Sequence, residues 1–127
     1  MNRKQVAFLN KRDVCRLATA SKDSVPHVIP VVYALDGQKI IIAIDYGTKK
    51  LKNLRENPQA SLVVDDYGPN RAVFMQGACT IVERGPEYLR LLGILFKKFE
   101  FYRKHPWGEG ESPILSITPL KVISWGI

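Results

Sequence analysis

The sequence is poor in the groups that build metal centres and disulfide frameworks. Its 127 residues hold two cysteines, Cys15 and Cys79, and two histidines, His27 and His105. The cysteines form no C-x-x-C, and neither histidine stands in metal-ligand spacing with a cysteine, so a metal site or a disulfide scaffold has no support. Free thiols fit a reducing cytoplasm. Long apolar runs are also missing. The longest, Ile40–Ile44 and Leu91–Phe96, fall far short of the roughly 20 residues that cross a bilayer. The opening MNRKQVAFLNKR lacks the apolar stretch of a signal peptide. There is no G-x-x-x-x-G-K-[ST], no G-x-G-x-x-G and no G-x-S-x-G, so the usual nucleotide triphosphatase, dinucleotide dehydrogenase and serine hydrolase readings have nothing to stand on. No carboxylate pair is spaced for acid–base work, and neither cysteine has an activating neighbour in sequence.

What is present reads as one globular domain. Hydrophobic residues make up 46% and charged residues 24%. A chain of this length buries about two-thirds of the surface its unfolded form exposes, so it needs no covalent staple. Nineteen Lys and Arg against twelve Asp and Glu leave a net charge of +7. That excess calls for an anionic partner: a nucleic acid, an acidic lipid or a phosphorylated small molecule.

Pattern along the chain predicts many strands and few helices. Residues 3–11 read as a short helix and 14–20 as a strand. Residues 25–35 form one extended run, where Pro30, having no N–H for a ladder, marks a sheet edge, bulge or opening. Asp36-Gly37 predicts a type I′ hairpin turn. Lys39–Ile44 is apolar on both faces and reads as a central strand. Thr48 caps a helix over 48–57, ended by Pro58. Strands follow at 60–66 and 71–83, the latter kinked at Gly77. A helix starts at Gly85-Pro86 and keeps its apolar spacing through residue 104. Strands at 113–118 and 120–126, divided by Pro119, close the chain. Short turns between neighbouring strands predict an antiparallel barrel or strongly curved sheet with helices outside it.

The most informative local feature is Gly47-Thr48-Lys49-Lys50. A helix N-terminus carries partial positive charge and unpaired N–H groups, so lysines there are unfavourable by a few tenths of a kcal/mol each. A bound phosphate reverses the sign, because the N–H groups, the Thr48 hydroxyl and two ammonium groups then converge on a dianion. The bland alternative is a pair of solvated lysines in a lysine-rich protein. His27, in the proline-flanked strand, is on its own more simply a half-buried histidine bonded to backbone. Gln76, mid-strand among Val73, Phe74 and Met75, either satisfies the barrel or faces a ligand. Trp125, in the last strand, reads first as a core or interface aromatic.

The ordered set FLNKRDVCRLATASKDSVPHVIPVVYALDG, KIIIAID, GTKK, LRENPQASLVVDDY and ITPLKVISW resembles the pyridoxamine 5′-phosphate oxidase-related flavin-binding split-barrel family over essentially the whole chain. The resemblance implies a mainly β fold, a six-stranded antiparallel split barrel with short flanking helices. It also implies a homodimer that holds two flavins at its interface. By the same resemblance His27, Val28, Ile29, Pro30 and Val31 line the flavin. Ile44 and Asp45 approach its ring or ribityl chain. Thr48, Lys49 and Lys50 hold its phosphate, Gln76 hydrogen-bonds it across the dimer, and Trp125 stacks near it. Two departures stand out. The chain ends ISWGI, without the basic C-terminal segment that grips a vitamin B6 phosphate, and His27 stands where relatives often carry an arginine for the flavin phosphate. The opening segment also looks like the subgroup that uses the deazaflavin coenzyme F-420, although only Gly68-Pro69-Asn70 follow the DDY.

The expected function is therefore hydride transfer through non-covalent FMN, or through the deazaflavin, with a small-molecule substrate and NADH or NADPH as a possible donor. No catalytic residue is assigned, since the first hydride transfer needs no acid or base from the protein. Two rivals are kept: a single-strand nucleic-acid-binding basic barrel, and a non-catalytic flavin or haem carrier. Against the first, the aromatics do not alternate with lysines along one strand.

Overall fold

A computed structural model describes residues 1–127. Seven strands form one antiparallel sheet in the order β2-β1-β5-β6-β7-β4-β3. The strands are β1 (Val14–Ala20), β2 (Pro26–Val32), β3 (Ala34–Asp36), β4 (Lys39–Ala43), β5 (Gln59–Asp66), β6 (Arg71–Val82) and β7 (Ile114–Trp125). The two edges, β2 and β3, are consecutive in the chain and separated only by Tyr33. One bent stretch thus serves both edges, curling the sheet into a half-barrel. The split barrel expected from the sequence is what forms, with seven strands instead of six. The seventh arises because Tyr33 interrupts the run 25–35. The Tyr33 N–H bonds the Asp13 carbonyl at 3.0 Å, and the Tyr33 side chain is fully buried.

Three other expectations are corrected. The segment divided at Pro119 is a single strand, because Pro119 pairs with Gly77 where the β6–β7 register shifts between Gln76 and Gly77. The irregularity absorbs the missing proline N–H. The helix expected from 85 to 104 is two helices, α3 (Gly85–Lys98) and α4 (Glu100–Lys104), broken at Phe99, which adopts extended dihedrals. The Arg103 guanidinium donates to the carbonyls of Phe96 and Lys97 and so takes over bonds the helix gives up there. The hairpin loop is Gly37-Gln38 between the paired Asp36 and Lys39, and only Gly37 has positive φ (60°). That is the type II′ pattern, not I′.

The main core lies inside the half-barrel: Leu17, Ile40, Ile42, Leu62, Val73, Met75 and Leu115 are among its members, capped by Phe8 and Leu9 of α1 (Arg3–Asn10) and by Leu51 and Leu54 of α2 (Lys49–Glu56). A smaller cluster packs Tyr88, Leu91 and Leu95 of α3 on Ala34, Ile41 and Ile114. β4 therefore buries both faces, Ile40 and Ile42 inward and Ile41 under α3, as its continuous apolar run requires. No helix is long and apolar enough to cross a membrane.

Candidate functional site

The turn from β4 into α2 is held from outside. The Tyr46 hydroxyl donates to Glu83 at 2.9 Å, and Arg55, in the last turn of α2, reaches the same carboxylate oxygen at 2.9 Å. Arg55 first, then Tyr46, hold the Glu83 carboxyl below its usual range. This tie fixes where α2 begins, and sequence reading missed it, since nothing near residue 83 announces a partner 28 or 37 positions away.

Thr48 occupies the N-cap position of α2 but does not cap it. Its hydroxyl donates to the Asp45 carbonyl at 3.0 Å, and the first helical bond is Lys52 N–H to the Thr48 carbonyl. No acidic residue stands in the first turn. The N–H groups of residues 49–51 are thus left without an acceptor in the chain. Lys49 is exposed and Lys50 half-buried. Asn53, one turn after Lys50 on the same helical side, is fully buried and donates to the Thr19 hydroxyl at 3.1 Å. Thr19 pairs across the ladder with His27. Lys50 therefore leaves α2 on the side where His27 stands. His27 Nδ1 and Asn53 Oδ1 are both buried without a partner. These orphaned polar atoms and the uncapped helix start fit an anionic, hydrogen-bonding ligand.

The remaining sequence candidates divide between the two faces of the sheet. His27, Ile29 and Val31 pair with the buried Thr19, Leu17 and Cys15 and point inward. Val28 and Pro30 point outward. Successive pairings run Val28, Ala18, Ser61, Gln76 and Lys121 across the outer face. Gln76 is exposed, and its amide makes no bond within the chain; it lies about 14 Å, three strand spacings, from Val28. It borders a groove of about 650 Å³ with Thr19, Asn57, Gly77 and Lys121. Ile44 is buried, its N–H donating to the Pro113 carbonyl, while Asp45 is exposed; both line a second pocket of about 200 Å³. Trp125 is 43% exposed on the outer face, its indole N–H bonded to Asn70. It pairs with Ala72, roughly 13 Å along β6 from Gln76. A single chain therefore ties α2 to the His27 strand pair through Asn53 and Thr19 but leaves Gln76 and Trp125 apart from them.

Neither thiol is primed for chemistry: burial pushes both Cys15 and Cys79 up to about 12.

The sequence pattern of the pyridoxamine 5′-phosphate oxidase family matches residues 1–126. The chain belongs to this family. A 5a,11a-dehydrotetracycline/5a,11a-dehydrooxytetracycline reductase of Streptomyces rimosus is 26% identical, over 98% of this chain and 82% of that protein. Among solved structures, a heme storage protein of Vibrio cholerae superposes with a TM-score of 0.83 at 15% identity, covering 92% of this chain and 89% of its own. An FAD-binding protein of Mesorhizobium loti gives 0.78 at 22%, covering 98% and 93%. The fold is thus shared with a protein named for heme storage and with one named for FAD binding.

Proposed function

We propose that the chain is a homodimeric oxidoreductase that holds FMN non-covalently, with the cofactor phosphate on the first turn of α2. The carrying observation is that uncapped turn: three free N–H groups, a hydroxyl turned onto the Asp45 carbonyl, no acid, and Lys50 leaving the helix on the side of His27. Lys49, Lys50 and, with its hydroxyl swung off the Asp45 carbonyl, Thr48 bind the phosphate; His27 offers Nδ1 with Ile29 and Val31 on its face, while Val28 and Pro30 line the flavin from the outer face. Ile44 and Asp45 border the flavin. The bound ring supplies hydride exchange, between NADH or NADPH and a small-molecule substrate. The protein's part is to hold the phosphate, orient the ring and exclude water.

A second copy completes this arrangement. The outer face exposes Val28 (65%), Leu120 (78%) and Ile123 (43%) around Gln76 and Trp125. Covering it removes apolar surface from water and carries a partner's Gln76 and Trp125 toward the site that one chain leaves unfinished.

Absorption of the purified protein tests the cofactor. Two visible bands support FMN, a single violet band the deazaflavin coenzyme F-420, and a Soret band overturns both in favour of haem. Titrating FMN into wild type and Lys50→Ala tests the phosphate turn. Losing one charge-assisted contact is expected to weaken binding roughly tenfold to 150-fold. Equal dissociation constants remove the assignment.

A further inference from the structure

The smaller pocket lies where the end of β4 meets α4 and the loop after it. Its walls are aromatic: Phe101, Tyr102, His105 and Trp107 stand around Ile44 and Asp45. The rings brace one another. Tyr102 and Trp107 meet edge-on at 4.7 Å, and Phe101 lies 4.7 Å from the His105 ring. Trp107 is anchored behind by its indole N–H on the Tyr88 hydroxyl at 2.9 Å. At about 200 Å³ the space holds a small group of a few heavy atoms, roughly six or seven waters by volume.

Asp45 gives this box its sign. Seven of the chain's twelve acids are in ion pairs, and Asp45 is not among them. Its carbonyl accepts from Thr48, but its carboxylate accepts nothing from the chain. Three cations of the flanking elements are tied elsewhere: Arg103 to the carbonyls of Phe96 and Lys97, Lys104 to Glu100 and Arg55 to Glu83, while Lys49 and Lys50 on the following turn pair with no acid. Tyr102 feels the carboxylate, since burial and then Asp45 both raise its phenol above the usual range. Ring faces beside an uncompensated carboxylate attract a cation, and a cation with an apolar skin matches such walls better than a hydrated metal ion does.

We propose that this pocket binds an organic ammonium group, held between the rings of Phe101, Tyr102 and Trp107 and the free carboxylate of Asp45. The pocket is complete within one chain and adjoins the proposed flavin surroundings, with which it shares Ile44 and Asp45.

Choline and its uncharged isostere 3,3-dimethylbutan-1-ol are the probes, titrated into the full chain as purified and read by NMR shifts of the Trp107 indole and the His105 amide. Choline is expected to bind about tenfold more tightly than the isostere, and Asp45→Asn to abolish that preference while leaving isostere binding unchanged. Flavin content is measured in both proteins because Asp45 also borders the proposed flavin; a flavin-loaded wild type that binds no choline overturns the cation pocket and leaves the flavin reading standing. Equal affinity for the two probes, a preference that survives Asp45→Asn, or no saturable shift each overturns the proposal.

Discussion

Lys98 reaches from α3 to hold its ammonium 4.3 Å from the centre of the Tyr33 ring, donating to the Tyr33 carbonyl at 2.9 Å and the Arg12 carbonyl at 2.6 Å. Tyr33 is the residue at which the bent strand passes from one sheet edge to the other, and its hydroxyl donates to the Leu9 carbonyl at 2.6 Å. One lysine thus fastens the barrel seam to the helix outside it. Lys98→Met keeps the stem but leaves two carbonyls unmet. A loss of about 1.5–3 kcal/mol is expected, seen as a lower urea midpoint at unchanged slope. An unshifted midpoint would show the clamp to be dispensable.

Gly77 sits where β6 shifts register against β7, opposite Pro119. A Cβ built there lies 2.3 Å from the Thr118 carbonyl oxygen and 3.0 Å from Ile117. Backbone cannot yield as a side-chain tip can. Gly77→Ala should therefore cost about 1–3 kcal/mol by overpacking. Differential scanning calorimetry of the variant, beside Gly93→Ala as a control with no neighbour in reach, measures it.

Arg90 grips both carboxylate oxygens of Asp36 at 2.8 and 2.9 Å. The bond to Arg90 holds the Asp36 carboxyl below its ordinary value of 3.8. The folded state thus binds its proton less readily than the unfolded one, so this contribution is present above that value and is lost as pH falls through the lowered one. In urea melts from pH 6 downward, the gap between wild type and Asp36→Asn should stay constant above about pH 5 and close below about pH 4. A gap that persists at the acid end would contradict this origin.

Val28 is 65% exposed on the outer side of the edge strand β2. Val28→Asp places a charge where the proposed second copy docks and where a lone barrel has only water. Analytical ultracentrifugation should show dimer for wild type and monomer for the variant, with secondary structure intact by circular dichroism. A wild-type monomer would rule out the shared site.

Much of this layout can be read from local pattern. The apolar run Lys39–Ile44, the α2 start at Thr48-Lys49 and the barrel class all follow from side-chain periodicity and turn residues, and each appears close to where it is expected. Local pattern misleads where a distant group intervenes. Apolar spacing in 86–104 continues through Phe99, yet Arg103 captures the carbonyls that an unbroken helix would have used. Pro119 reads as a strand break, yet the shifted register at Gly77 lets the ladder pass.

The amino-acid order by itself determined the family, the strand-rich class and the lysine-bearing turn, because those depend on residues adjacent in the chain. Tertiary structure alone decided that α2 meets β1 through Asn53 and Thr19, that Glu83 anchors the turn, and that Asp45 stands unpaired in an aromatic box. These follow from which strand faces which helix, a matter of sheet closure and packing across dozens of intervening residues that no local pattern encodes.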